Sequence, residues 1–397
     1  MPEKQKQPEN PRLYAMLLFV LYFLIFQLAE SAVNDRTVEV LNADAVNGVY
    51  AAGLFFTASG YLLFAFWYRR FGITARKGIF ISSGAVYLLC VLMIHCTNQP
   101  VVFLLTAAGC LLAAGYIGGF SHYILAVTLR DGKYTGRATG VAIAMGVGVQ
   151  YAVQNLLSLP VTLLVWTSAT VLTILIGLSH IGNNDHYLFV PSRMTARFPS
   201  TRLLMLMTVV SLMSLIISLD DTICLTLHAQ GSVNLFGLPR LFYAGSILLA
   251  GYLADRQKRT YLPLATVCVV LISGFVFTFL NRPDTYWINV CLLYVYSGFY
   301  VSFFTVMFLD TAAKSSHPEL WAGMGRVVRS YTLSAATVPF IYLYTLFGIL
   351  PMMVLSVALS AGCLLLFFPA ECSAQRRHRN RPRMTPVHWN SFQKNIT

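Results

Sequence analysis

The sequence predicts an all-α integral membrane protein, with twelve transmembrane helices in two six-helix, pseudo-symmetric bundles and both termini in the cytoplasm. Three observations carry this prediction. Long apolar runs recur along the whole chain, basic residues gather in every second loop between them, and polar features repeat at corresponding places in the two halves. Of the 397 residues, 57% are hydrophobic and 11% charged, and the mean hydropathy is +0.65. That is more apolar surface than a water-soluble fold of this length can hide, so lipid is the expected solvent.

A helix crossing the hydrocarbon needs about 20 apolar residues, because ~30 Å is covered at 1.5 Å per residue. The first six such runs are Leu13 to Ala29, Tyr50 to Tyr68, Ile79 to His95, Val101 to Leu129, Thr139 to Leu157 and Pro160 to Ile181, here helices 1 to 6. Helices 7 to 12 follow as Leu203 to Leu225, Leu235 to Ala254, Leu262 to Leu280, Tyr286 to Leu309, Val327 to Leu346 and Leu350 to Phe368. The resulting division is a cytoplasmic tail (1–12), a first bundle (13–181), a central cytoplasmic loop (182–202), a second bundle (203–368) and a basic cytoplasmic tail (369–397).

The net charge is +13, but the placement of the basic residues argues for topology and against a nucleic-acid partner. Lys4, Lys6 and Arg12 precede helix 1. Arg69, Arg70, Arg76 and Lys77 then follow helix 2, Arg130, Lys133 and Arg137 follow helix 4, and Arg193, Arg197 and Arg202 follow helix 6. Arg256, Lys258 and Arg259, and later Lys314, Arg326 and Arg329, continue the alternation, whereas the other loops hold little beyond Arg36 and Arg282. The positive-inside rule puts these basic loops and both termini in the cytoplasm, as an even helix count requires. The terminal run of Arg376, Arg377, Arg379, Arg381 and Arg383 resembles a nucleic-acid arm in isolation, but next to a helix end it is read as holding anionic headgroups or fixing topology.

Cys90, Cys110, Cys268, Cys291 and Cys363 fall in apolar runs without metal-ligand spacing and read as small core residues. No cofactor or metal is expected. The first apolar run is full length and lacks a small-residue cleavage site, so helix 1 is expected to remain in the mature protein.

The halves can be compared position by position. Glu30 stands near the outer end of helix 1, and Asp220 with Asp221 near the outer end of helix 7. Helix 4 ends in Leu129, Arg130 and Asp131, and helix 10 in Leu309 and Asp310, while Gly140 and Gly323 open helices 5 and 11. A duplicated six-helix unit accounts for this.

After helix 8 the chain reads Gly251, Tyr252, Leu253, Ala254, Asp255, Arg256, Gln257, Lys258, Arg259. This resembles the signature loop of the major facilitator superfamily, and it falls where that family carries it, after the second helix of a half. The resemblance in helix count, loop and topology covers the chain apart from its tails. It implies that the loop helps hold a cytoplasmic gate shut, with Asp255 facing the start of helix 5 around Arg137 and Gly140, and Arg259 paired with Asp310. The corresponding loop of the first half departs from the pattern, with Ala65 and Arg69 standing where the family has Gly and Asp. Arg69 and Arg70 either fix topology or meet an acid such as Asp131.

Charge inside a membrane marks a functional candidate, since at a helix centre it costs about 2.5–3.5 kcal/mol per residue. Glu30, Asp220 and Asp221 are candidates for proton coupling or substrate attraction, or else form an ion-paired or solvated mouth near the outer headgroups, with Arg240 available to pair with Asp221. Gln150 and Gln154 on helix 5, and Tyr296, Ser297 and Tyr300 on helix 10, are uncharged polar groups near mid-membrane. They serve either a solute cavity or interhelical hydrogen bonds. His122 reads as a proton relay or a hydrogen-bonded core residue. Arg326 and Arg329, near the cytoplasmic start of helix 11, either meet an anionic substrate or snorkel to headgroups, and the second is the expectation.

The functional expectation is a secondary active transporter, in the inner or plasma membrane of the cell, that moves a small solute by alternating access with proton coupling and acts as a monomer. No Walker-type phosphate loop is present. A sensor that keeps the transporter fold and signals through a separate partner is the alternative. An enzyme is not expected, because the eight histidines are scattered singly and no nucleophile stands beside a base.

Overall fold

The structure is a computed structural model and describes residues 10–130, 134–182, 200–256, 259 and 261–379. Most of the predicted central loop (182–202), Asp131 and the last residues of the basic tail lie outside these.

Twelve long helices form among the described residues. The first six are α1 (Pro11–Val40), α2 (Val46–Tyr68), α3 (Ile73–Cys96), α4 (Pro100–Thr128), α5 (Thr135–Leu156) and α6 (Leu159–His180). Then come α7 (Ser200–Ala229), α8 (Pro239–Ala254), α9 (Tyr261–Val276), α10 (Tyr286–Ala312), α11 (Met324–Phe347) and α12 (Ile349–Arg379), with a single helical turn, Pro318–Trp321, before α11. Eight of the helical segments are long and apolar enough to cross a membrane. Leucines standing on the outside, such as Leu105 at 68% and Leu164 at 65% exposure, fit a lipid solvent.

Helix ends are set locally. Pro11, Pro100 and Pro239 occupy the first turn of α1, α4 and α8, where a missing N–H costs nothing. Pro239 is the first residue of α8, four residues into the apolar run, and Leu238 before it already has right-handed helical angles (φ −46°, ψ −37°). Gly348 takes φ 73°, a conformation that ends α11 and lets the chain turn at once into α12.

Helix 1 is corrected most. Its apolar run stops at Ala29, but α1 continues for another eleven residues to Val40. Backbone hydrogen bonding does not require apolar side chains, and the extension carries an Arg36–Glu39 pair one turn apart. Glu30 therefore stands well inside a 30-residue helix and not near its end. Asp220 and Asp221 are likewise two turns short of the end of α7. Cys268 is exposed on the outer surface of α9, where a small apolar thiol is at ease, while Cys90, Cys110, Cys291 and Cys363 are buried.

Helices α1 and α10 are the most buried spans, with 83% and 72% of their apolar windows covered, against 28% for α6 and 22% for α12. Close crossings rest on small residues. A Cβ on Gly60 of α2 would lie 2.1 Å from the Leu112 carbonyl oxygen of α4, and one on Gly115 of α4 would lie 2.1 Å from that of Thr57. Helices α1 to α4 pack on one another, α7 packs on α11 and α12, and α10 packs on α8 and α9. The two halves of the sequence meet chiefly where α5 packs on α8 and α2 on α11.

Candidate functional site

A cavity of about 60 Å³ lies at the meeting of α1, α2, α7, α8, α10 and α11. Its lining holds five charged side chains: Glu30, Asp221, Arg240, Arg326 and Arg329 contribute two negative and three positive groups. Between them stand phenols and rings, including Phe26, Tyr50, Tyr243, Tyr294 and Tyr300.

The acidic candidates separate. Glu30 and Asp221 line the cavity, and Tyr50 of α2 donates its hydroxyl to Asp221 at 2.7 Å. Asp220 is turned the other way by the 100° step between helix neighbours. It is 1% exposed, and its carboxylate accepts from Asn289 Nδ2 at 2.8 Å and from the Tyr296 hydroxyl at 2.7 Å, both on α10. Asp220 and Tyr296 thus form a buried tie between α7 and α10, outside the cavity lining.

The uncharged candidates separate too. Ser297 and Tyr300 line the cavity, and Tyr300 also donates to the Val210 carbonyl at 3.0 Å. Gln150 and Gln154 do not line it. They form a chain of hydrogen bonds to each other and to Ser31 of α1, and Gln154 reaches a larger vestibule of about 560 Å³.

The arginines overturn two expectations. Arg240 does not pair with Asp221. It donates to Gln27 Oε1 on α1, with its guanidinium carbon 5.0 Å from the Phe236 ring centre and 4.9 Å from that of Tyr294. Arg326 is 5% exposed, so it does not snorkel outward. Its guanidinium carbon stands 4.8 Å from the Phe23 ring centre and 5.3 Å from that of Phe304, an inward stacking that reading one chain as a string of spans does not reveal. Arg329 follows one turn later on the same face and lines the same cavity. His122 is buried among Phe19, Tyr22 and Tyr61, with Nδ1 2.8 Å from the Gly118 carbonyl oxygen and 3.3 Å from the Tyr61 hydroxyl.

Two sets of contacts join the halves beyond the cavity. At one end, Asp255 at the close of α8 accepts the backbone N–H groups of Gly136 and Arg137, each at 2.8 Å. These are first-turn donors of α5 that have no partner within the helix, and its positive dipole end favours the carboxylate. Arg259 bridges Asp255 at 2.6 Å and Asp310 at 2.7 Å, and Arg137 Nε lies 3.9 Å from Asp255. Arg256 turns aside to the Tyr252 hydroxyl of its own helix end. At the same end Arg69 donates to the Ser316 carbonyl at 3.2 Å and to Glu319 at 3.5 Å. Glu319 is an acid the sequence did not suggest for Arg69, because it sits in the short turn before α11 and only the α2–α11 packing brings it near.

At the other end, Asn47 of α2 donates to Thr226 of α7 at 2.8 Å, His228 of α7 lies 3.1 Å from Asp35 of α1, and Asn155 of α5 donates to the Phe236 carbonyl at 2.9 Å.

The fold has solved counterparts. The human organic anion transporter MFSD10 (TETRAN) superposes with a TM-score of 0.62 at 14% identity, over 91% of this chain and 99% of that one. A mutant of the nucleoside transporter NupG superposes with a TM-score of 0.57, also at 14% identity, over 90% of this chain and all of that one. The chain shares the fold of these two transporters. No protein-family model and no curated protein matches the chain. At 14% identity the likeness to these transporters concerns fold.

Proposed function

We propose that the protein is a secondary active transporter that carries a small solute by alternating access and couples the movement to protons. One observation carries the reading. A charged, aromatic cavity lies between the halves of the chain, and cross-half contacts stand toward both ends of the helices that line it. A cavity that opens to either side by breaking one of two sets of contacts is what alternating access requires.

In this reading all twelve helices cross the bilayer as two bundles, residues 13–181 and 203–368, with both termini in the cytoplasm and a single chain forming the path. The loop of Gly251, Asp255, Arg256 and Arg259, with Arg137 and Asp310, is the cytoplasmic gate, and Arg69 with Glu319 is its counterpart in the first half. The contacts of Asn47, His228 and Asn155 form the outer gate. Glu30 and Asp221 are the proton-exchanging groups. A carboxylate that gains a proton no longer attracts the guanidinium groups sharing its cavity, so protonation alters what those groups hold. Asp220, tied to Asn289 and Tyr296, is assigned to architecture.

Flux in proteoliposomes under an imposed pH gradient, across a panel of anionic, neutral and cationic solutes, tests this. Gradient-driven flux is expected, and Glu30→Gln or Asp221→Asn is expected to abolish the drive while leaving solute exchange without a gradient. Flux indifferent to the gradient removes proton coupling. Absence of flux for every solute removes the transporter reading.

A further inference from the structure

Arg326 and Arg329 have no carboxylate within ion-pair distance among the described residues, although both line the cavity. Arg326 is 95% buried by the complement of its 5% exposure, and its Nε and Nη2 find no hydrogen-bond partner among the described residues. Nor does Nε of Arg329. A guanidinium keeps its charge under all ordinary conditions, and burying it without a partner is costly, so two of them side by side on α11 form an incomplete site.

Of the other cavity charges, Asp221 accepts from Tyr50, and Arg240 donates to Gln27 between two rings, although its Nε too finds no hydrogen-bond partner among the described residues. Three guanidinium groups against Glu30 and Asp221 leave one positive charge uncompensated (3 − 2 = +1). With both carboxylates ionised, a single added negative charge balances the lining. The planar fork of arginine matches the two oxygens of a carboxylate, and the phenol and phenyl rings around it suit an apolar body.

We propose that the solute is a small organic monoanion, its carboxylate or similarly charged group held by Arg326 and Arg329 and its body against Tyr50, Tyr243 and Tyr300. This rests on the transporter reading for the word solute, while the anion site itself rests on the cavity alone.

Binding and flux separate the two. Binding is read as thermal stabilisation of the purified protein by acetate, pyruvate, lactate, benzoate and benzenesulfonate, with acetamide, benzamide and benzylamine as neutral and cationic counterparts. At least one monoanion is expected to stabilise the protein where its amide does not, and Arg326→Gln and Arg329→Gln are each expected to weaken that binding about ten- to a hundredfold. Arg326→Lys, which keeps the charge and loses the fork, is expected to weaken it less, and it serves if the glutamine variant does not fold. No stabilisation by any monoanion, equal stabilisation by the amides, or anion binding as tight as that of the native protein in both the Arg329→Gln and Arg326→Lys proteins overturns the proposal. Counterflow of a neutral solute without anion binding leaves the transporter reading standing and removes the anion. Arginine-dependent anion binding without counterflow of any solute keeps the site and removes transport.

Discussion

Gly140 of α5 and Gly251 of α8 lie so close that a Cβ on either would stand 3.0 Å from the Cα of the other. Backbone meets backbone here, and the helices have no flexible side chain to move aside. Gly251→Val also drives a methyl toward the Gly136 carbonyl oxygen, 2.7 Å from the first added carbon. The substitution is expected to cost about 1–3 kcal/mol, seen as a lower unfolding temperature in detergent. It is also expected to expose a cysteine placed at Thr139, which is fully buried in the native protein, to maleimide. An unlabelled cysteine and an unchanged transition would mean that the crossing has slack.

The Asp255 carboxylate caps α5 from another helix. Asp255→Ala removes both acceptors for the Gly136 and Arg137 N–H groups and also leaves Arg259 with Asp310 and the Ala254 carbonyl. Loss of a cap of this kind costs about 0.5–2 kcal/mol. Asp255→Asn keeps one acceptor oxygen and is expected to lose less. Accessibility of the Thr139 cysteine in the two variants ranks them, and equal labelling would show that the second oxygen does not matter.

Arg69 and Glu319 are expected to be only weakly coupled. Arg69 is 34% exposed on its side chain and the pair is 3.5 Å apart, so solvent screens it. A double-mutant cycle with Arg69→Ala and Glu319→Ala, followed by thermal unfolding, should return about 0.2–1 kcal/mol. Coupling well above that would mean that His317, 2.6 Å from Arg69, makes the group act as a network.

Asp220 and Asp221 are expected to differ in kind although they are adjacent. Asp220→Ala strands the Tyr296 hydroxyl in a buried place, at about 1–3 kcal/mol for a donor left unsatisfied, and leaves the Asn289 amide only the Cys224 sulfur, 3.1 Å away. Its effect should therefore appear in the unfolding temperature. Asp221→Asn keeps the cavity shape and should appear in gradient-driven flux instead. A reversed pattern would exchange the two assignments.

Tyr87 joins three helices through one oxygen, donating to the Ile25 carbonyl and accepting from Trp166 Nε1, both at 2.7 Å. Tyr87→Phe leaves the buried indole N–H without a partner and is expected to cost about 1–3 kcal/mol. A transition unmoved by Tyr87→Phe would mean that the indole finds a substitute.

The sequence by itself determined the helical class, because apolar runs of spanning length have no other stable solution in lipid, where every backbone group must be satisfied within its own segment. It also determined the local signals at helix starts, such as Pro11 and Pro239. It placed Asp255 at a helix end where a carboxylate and a helix N-terminus attract each other, and the structure has that contact. Hydropathy did not determine where α1 ends, because a helix can outrun its apolar face. Nor did it tell Asp220 from Asp221, or Tyr296 from Ser297, since neighbours on a helix point about 100° apart and only the surrounding helices say which direction is the cavity. The same limit hid Arg326. By composition it is a basic residue beside a loop, and only the packing of α11 on α2 and α7 places its guanidinium inward, onto Phe23 of α1 and Phe304 of α10. Long-range packing likewise brought Glu319 to Arg69 across 250 residues of chain.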